Sequence, residues 1–416
     1  MKIKRLTLSI TASFITANTL IADTTSNEIA TLKAQIAQLQ ETTQILIDET
    51  SDLKTGFSYT TVDIEKSHSG LGAAASKVYY SKSPLSIGGY GEMFFANKSV
   101  QNSEGSTSTV DVYRFVPYIG YKFSDNIILN TELEFEHGGI SNDDGTATGG
   151  KVIMEFMYLD FLLSQEANIR LGSFLVPMGL INERHEPTLF TTVQRPQTSK
   201  YLIPSTWSES GAMIYGKVLK NFDYKLAAIT GLKTAADGSS WIRGGRGGTF
   251  TNTDPKVGAV ARLDYTGING LLLGASLYAD NQLTMVDAHI DFKYGAFRSY
   301  GVYTQTSRRD TDTQTFPSLA TKAKGGFLNL SYDLLSFGNS DYRLPLFVQY
   351  ESVNPQSTTE GIAAQSFDPV NTTTVGINFF PHEQVVLKMD YAMADNDYTN
   401  SHQSSDTFSV SLGYIF

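Results

Sequence analysis

The 416-residue sequence has no cysteine, so disulfides, thiolate metal sites and cysteine nucleophiles are all excluded. It has no run of about 20 apolar residues, which excludes membrane-spanning helices; mean hydropathy is −0.16. Basic residues are the minority, 32 Lys and Arg against 42 Asp and Glu, for a formal net charge of −10. No basic cluster interrupts that balance, so no nucleic acid is expected as a partner. Histidine is scarce, with six in the chain. No group of them has the spacing of a metal ligand set, no G-x-x-x-x-G-K-[ST] phosphate loop is present, and no cofactor is expected.

What the chain does have is 22 Tyr, 24 Phe and 35 Gly, a composition suited to many short strands with aromatic belts. Its last ten residues, Thr407 to Phe416, give the pattern in miniature. Phe408, Val410, Leu412, Tyr414 and Phe416 share one face, and Thr407, Ser409, Ser411 and Gly413 lie on the other with Ile415. Ten residues are enough for a tilted strand to cross a bilayer. An aromatic residue closing the chain is typical of outer-membrane barrels, and this strand is the expected signal for the barrel-insertion machinery.

The N-terminal segments differ from the rest. Residues 1–22 carry Lys2, Lys4 and Arg5 ahead of a Leu/Ile/Ala/Thr-rich stretch ending at Ala22, which reads as a secretory signal peptide. Residues 23–56 change period: Ile29, Leu32, Ile36, Leu39, Thr43, Leu46, Thr50 and Leu53 recur at alternating spacings of three and four, predicting a periplasmic coiled coil. Residues 57–84 show no period and contain Gly70-Leu71-Gly72, predicting a linker.

From residue 85 to 416 strands and turns alternate. Seven short connections are expected at 124–126, 164–167, 220–221, 266–270, 295–296, 334–342 and 382–384, and eight longer ones between them. Sixteen strands in an all-β antiparallel transmembrane barrel follow, with lipid outside and water inside. The strand faces agree: Leu129, Leu133 and Phe135 alternate with Asn130, Glu132 and Glu134, and Val286, Ala288, Ile290 and Phe292 alternate with Asp287, His289, Asp291 and Lys293. The polar set forms the expected pore wall, together with Arg114, Lys122, Arg170, Arg343 and Lys388. Tyr121, Phe123, Phe222, Tyr265, Tyr294, Tyr332 and Phe379 fall beside short turns, where an interfacial girdle belongs.

The longest connection is the third, residues 177–210. Structureless loops of that length are usually functional. It carries Glu183, Arg184, His185, Glu186, Arg195 and Lys200, a balanced set that would orient polar solutes without strongly favouring one ion sign.

The run R-L-G-S-F-L-V-P-M-G-L-I-N-E-R-H-E from Arg170 to Glu186, then Arg195-Pro196 and I-P-S-T-W-S-E-S-G from Ile203 to Gly211, resembles the phosphate-selective porin O/P family. Y-R-F-V-P-Y-I-G-Y-K-F from Tyr113 and Y-L-D-F from Tyr158 extend the resemblance. It implies a homotrimeric, sixteen-stranded channel whose third loop folds inward as the constriction. Phosphate-selective members are implied to line the pore with basic residues, whereas this wall mixes both signs.

The expected function is therefore passive diffusion of small hydrophilic solutes or inorganic ions, anions such as phosphate among them, across the outer membrane of a Gram-negative bacterium. An alternative is an anchor whose coiled coil tethers the cell wall or a periplasmic partner. A third is an outer-membrane hydrolase, for which the local set Asp287, His289 and Asp291 is the candidate. Alternate side chains on one strand lie about 6.6 Å apart, too far for a simple hydrogen-bonded dyad without help from the rotamers, and a plain polar pore wall is the better reading.

Overall fold

The computed structural model describes residues 29–47, 62–101, 105–139, 149–233, 243–248, 251–309, 321–358, 370–395 and 404–416. The chain divides into two compact units, residues 1–58 and 59–416. In the first, residues 29–47 form one helix, α1. Ile29, Leu32, Ile36, Leu39 and Leu46 are all exposed along it. The expected signal peptide, and the heptad positions Thr50 and Leu53, lie outside the described residues.

The second unit is a closed antiparallel barrel of sixteen strands. In chain order they are β1 (Leu85–Val100), β2 (Ser106–Ser124), β3 (Ile127–Glu136), β4 (Lys151–Leu162), β5 (Asn168–Leu175), β6 (Ser208–Leu219), β7 (Phe222–Thr230) and β8 (Val257–Tyr265). They continue with β9 (Leu271–Ala279), β10 (Leu283–Tyr294), β11 (Phe297–Arg308), β12 (Lys322–Asp333), β13 (Pro345–Thr358), β14 (Val370–His382), β15 (Val385–Asp395) and β16 (Ser405–Ile415). Every strand pairs with its sequence neighbours, and β1 meets β16 to close the ring with Tyr90 opposite Ile415 and Val100 opposite Ser405. Gly89 and Phe416 exchange two backbone hydrogen bonds of 2.9 Å at the seam, so the terminal aromatic is also the last rung of the ladder. A closed ring leaves no strand edge with unpaired N–H and C=O groups, the condition for placing strands in hydrocarbon.

Period two sorts the side chains. Leu263, Leu273, Leu277, Val286, Leu328, Leu330, Leu346, Val348, Leu387, Met389 and Phe408 are exposed on the outer surface, while the residues alternating with them are buried inside. Aromatic pairs ring the end of the barrel that carries the short turns: Tyr121 with Phe123 at 5.0 Å, Phe222 with Tyr265 at 5.1 Å, Tyr332 with Phe337 at 5.4 Å and Tyr342 with Phe379 at 5.7 Å between centroids. Tight turns need special backbone, and at Gly270 (φ +78°) a Cβ would run into the Lys293 carbonyl.

The lumen is occupied. Residues 62–84, expected as a linker, instead run inside the barrel and include the helix α2 (Ala73–Tyr80). Leu71, Ala73, Ala74 and Ala75 share a buried cluster with the inward Tyr90, Tyr118, Phe156 and Tyr158. Asn130 Nδ2 donates to the Ala75 carbonyl at 2.8 Å, Lys77 Nζ to the Ile87 carbonyl at 2.6 Å and Lys122 Nζ to the Ser81 carbonyl at 2.6 Å. Gly120 on β2 leaves the space that Val78 fills. The segment lacks any period because its helix has no apolar stripe of its own; the wall supplies its packing from all sides.

Candidate functional site

The third long connection, residues 176–207, folds into the lumen rather than over its mouth; Ser208 already opens β6. Its two ends are pinned together by Asn182, whose Nδ2 donates to the Val176 and Trp207 carbonyls at 2.7 and 2.9 Å and whose Oδ1 accepts the Trp207 N–H at 2.8 Å. Met178, Leu180, Ile181, Phe190, Leu202, Ile203 and Trp207 are buried in the same cluster as the inner wall. A π-helical turn, Thr198–Leu202, ends the inserted stretch.

From there the connection reaches around the wall. Gly179, at φ +64°, donates its N–H to Asp287 Oδ2 at 2.9 Å while its carbonyl accepts Arg262 Nη1 at 2.5 Å. Thr191 meets the Tyr300 hydroxyl at 3.0 Å, Val193 N–H reaches Asp390 Oδ2 at 2.6 Å, and Gln197 and Thr198 N–H groups reach Glu351 at 3.0 and 2.7 Å. Lys388 Nζ caps the Thr192 carbonyl at 3.0 Å. Wall charges thus serve as anchors for loop backbone, which would otherwise be buried without partners.

The expected constriction residues fare differently from one another. Glu183 is buried against Lys225 at 2.6 Å, with Arg262 at 3.5 Å. Arg184 lies 3.2 Å from Asp291, which also holds Arg298 at 2.9 Å. Burial pushes the Arg184 guanidinium below its ordinary range, with Asp291 opposing and Arg298 and Arg262 adding to it. Burial raises the Glu186 carboxyl, and the α2 N–H groups hold it partly down. His185 faces Glu132 at 3.3 Å. Arg195 is buried, with Nε and Nη2 unpartnered. Lys200 remains half-buried beside two arginines of the fourth long connection: Arg243 donates to the Lys200 carbonyl at 3.1 Å and Arg246 to the Thr206 carbonyl at 2.5 Å. Burial lowers both Lys200 and Arg243, the latter to about 10; Arg243 further depresses Lys200, and Arg246 further depresses Arg243.

Along the wall, Arg114 pairs with Glu92 at 2.8 Å, and Arg170 is held by both oxygens of Asp160 at 2.8 Å with zero exposure of either side chain. Glu132 and Glu134 are buried; Lys293 is exposed and Arg343 half-buried. The set Asp287, His289 and Asp291 departs from expectation. His289 Nδ1 lies 2.7 Å from Asp287 Oδ1 and its Nε2 2.9 Å from Asp264 Oδ1, so the side chains lean together despite the strand spacing. Gly274 on the intervening β9 leaves the gap through which His289 and Asp264 meet. Both ring nitrogens are thereby used, Asp287 also holds Gly179, and Asp264 holds Arg262 at 2.8 Å. The arrangement is a structural tie between wall and loop.

Alternation missed Glu155. It is the extra residue of a bulge, since Glu132 pairs with Phe156 and Leu133 with Met154, and the bulge turns it inward beside Phe156. The signal available in the sequence was a carboxylate at a position that strict alternation would place in lipid.

No protein-family model matches the chain. An uncharacterized protein of Aquifex aeolicus (strain VF5) is 29% identical over 378 residues, covering 84% of each chain. Among solved structures, the anion-selective porin from Comamonas acidovorans aligns with a TM-score of 0.54 at 13% identity, covering 80% of this chain and 99% of that one. The outer-membrane channel DcaP of Acinetobacter baumannii gives 0.52 at 12% identity, over 81% and 99%. Salmonella typhi OmpF gives 0.50 at 12% identity, over 80% and 97%. The chain therefore has the fold of the outer-membrane porins.

Proposed function

We propose that the protein is an outer-membrane channel through which small hydrophilic solutes diffuse passively. The observation that carries this reading is a closed sixteen-strand barrel, apolar outside and polar inside, with its longest connection folded into the lumen. Most wall charges seat the inserted segments, but Lys293 is exposed and Arg343 half-buried on that wall, which calls for water at their end of the lumen. Because both the third connection and residues 62–84 occupy the lumen, the path is narrow, and entering solutes are small. Half-buried Lys200, Arg243 and Arg246 gather positive charge where the third and fourth connections meet, which favours anions, phosphate included, at that end. Homotrimer formation, a membrane lipid shell, export by a signal peptide and a periplasmic coiled-coil role for α1 complete the proposal.

Single-channel conductance in a planar bilayer tests it. Small, discrete openings are expected, with a reversal potential under a salt gradient that favours chloride over potassium by a few-fold and declines when Arg243 and Arg246 are replaced by glutamine. Folded protein that passes no current would end the channel reading and leave the anchor in its place.

A further inference from the structure

A second feature of the lumen needs no channel to give it meaning. Glu132 on β3, Glu155 on β4 and His185 on the third connection each place one ligand-type atom within 4.8 Å of the other two. They are 0, 3 and 2% exposed. No N–H or hydroxyl reaches either oxygen of Glu155 or Oε2 of Glu132, and the two carboxyl groups lie within hydrogen-bonding reach of each other alone. Arg114, the nearby cation, gives its Nη2 to Glu92 and to the His185 carbonyl, while its buried Nε and Nη1 reach neither carboxylate and stay without a partner. Buried carboxyl groups of this kind require either a counter-charge or a shared proton.

The imidazole points to what that charge is. His185 Nδ1 lies 2.8 Å from the Asn182 carbonyl. A carbonyl only accepts, so Nδ1 carries the proton and in the neutral ring Nε2 carries the lone pair. In the neutral ring that lone pair looks at Glu132 Oε1 across 3.3 Å, an acceptor facing an acceptor that a bridging cation resolves, as would a second ring proton. Two ligands each about 2.0–2.1 Å from a tetrahedral zinc ion stand about 3.3 Å apart, slightly beyond an ordinary N–H···O bond. A backbone carbonyl on the far nitrogen is also how proteins orient a metal-bound histidine. The bulge that turns Glu155 inward supplies the third donor.

We propose that Glu132, Glu155 and His185 bind one divalent ion of the zinc type, fastening the third connection to the barrel wall. One imidazole and two carboxylates suit zinc, and also cobalt or manganese, better than an all-oxygen site suited to calcium or magnesium. Glu134, two residues along the same face and with Oε2 likewise unpartnered, adds negative charge nearby.

The test uses the full chain, refolded in detergent after chelation and checked for β-sheet circular dichroism and heat-modifiable migration. Zinc titration by calorimetry and metal content after dialysis are then measured, with cobalt as a spectroscopic stand-in. The wild-type chain is expected to retain one zinc per chain. Glu155→Gln, which keeps side-chain size, and His185→Asn should each weaken binding at least tenfold and abolish the cobalt d–d bands. Folded wild-type protein that retains no zinc overturns the proposal. So does stoichiometric zinc unaffected by either substitution. A protonated carboxylic-acid band in the infrared, lost in Glu155→Gln without any metal uptake, overturns it as well and assigns the charge balance to a proton. Conductance plays no part in these readouts, so failure of the channel reading leaves the test intact.

Discussion

Glu186 caps a helix that begins 113 residues before it. Its Oε1 accepts the Ala75 N–H at 3.1 Å, and its Oε2 faces the Ala74 N–H at 3.4 Å. Helix α2 has no acidic residue in its first turn and no side-chain cap from Gly72, so its exposed N–H groups depend on the third connection. The two inserts therefore hold each other in the lumen, and a change in one is transmitted to the other.

Replacing Glu186 by alanine should loosen α2 without opening the barrel. Loss of a cap costs about 1 kcal/mol, or roughly fivefold in a local opening equilibrium. Hydrogen exchange at residues 73–76 should speed up by about that factor, while β10 and β11 amides keep their rates. Gly72→Ala should act in the same direction, because a Cβ there would collide with the Glu186 carboxylate. Unchanged exchange in both variants would show that the cap is incidental.

The Lys225–Glu183 pair, 2.6 Å apart and nearly free of solvent, is a buried ion pair between loop and wall. Lys225→Met should destabilise the inserted loop by about 3 kcal/mol, since it strands a buried carboxylate. Arg262, at 3.5 Å, offsets part of that loss. Lys225→Met combined with Glu183→Met should cost less than Lys225→Met alone. The thermal midpoint of heat-modifiable migration, compared across the three proteins, decides it; a double variant less stable than Lys225→Met would mean that the pair is not coupled.

Asn182→Leu keeps the volume but removes three hydrogen bonds that join the ends of the third connection. The Val176 and Trp207 carbonyls keep the Met178 and Val176 N–H groups, but leaving the Trp207 N–H unpaired should cost about 1–3 kcal/mol. The loop would then fluctuate away from its seat, and single-channel records should gain open-state noise and larger mean conductance. Quiet records identical to wild type would place the loop's hold elsewhere.

Much of this architecture could be read from residue order. All seven short connections and all eight long ones fall where turn chemistry and alternation put them, because each strand must show lipid an apolar face. Glu155 was not legible, since a bulge breaks period two at that residue alone. The His289–Asp287 contact was hidden by the assumption that strand side chains stand upright; Gly274 next door lets them lean. Residues 62–84 gave no signal because α2 is eight residues long and owes its cap to Glu186 and its packing to the wall. Local sequence encodes the barrel; the lumen depends on contacts between segments far apart in the chain.

His68 makes the insert sensitive to acid. Its ring stacks on Tyr79 with centroids 3.6 Å apart, and its Nε2 lies 2.9 Å from the Tyr215 hydroxyl. Burial lowers its pKa to about 3, more than Asp160 nearby can raise it. A released segment would titrate at about 6.5. Below that value the released form binds the proton and the seated form does not, so stability of the insert falls as pH drops from about 6.5 toward 3 and is unaffected above. At pH 5 the loss amounts to about 2 kcal/mol, or roughly thirtyfold in opening. Limited proteolysis within residues 62–84 should accordingly rise between pH 7.5 and pH 5, and His68→Gln should flatten that rise. Equal acid sensitivity in the variant would assign the effect to another group.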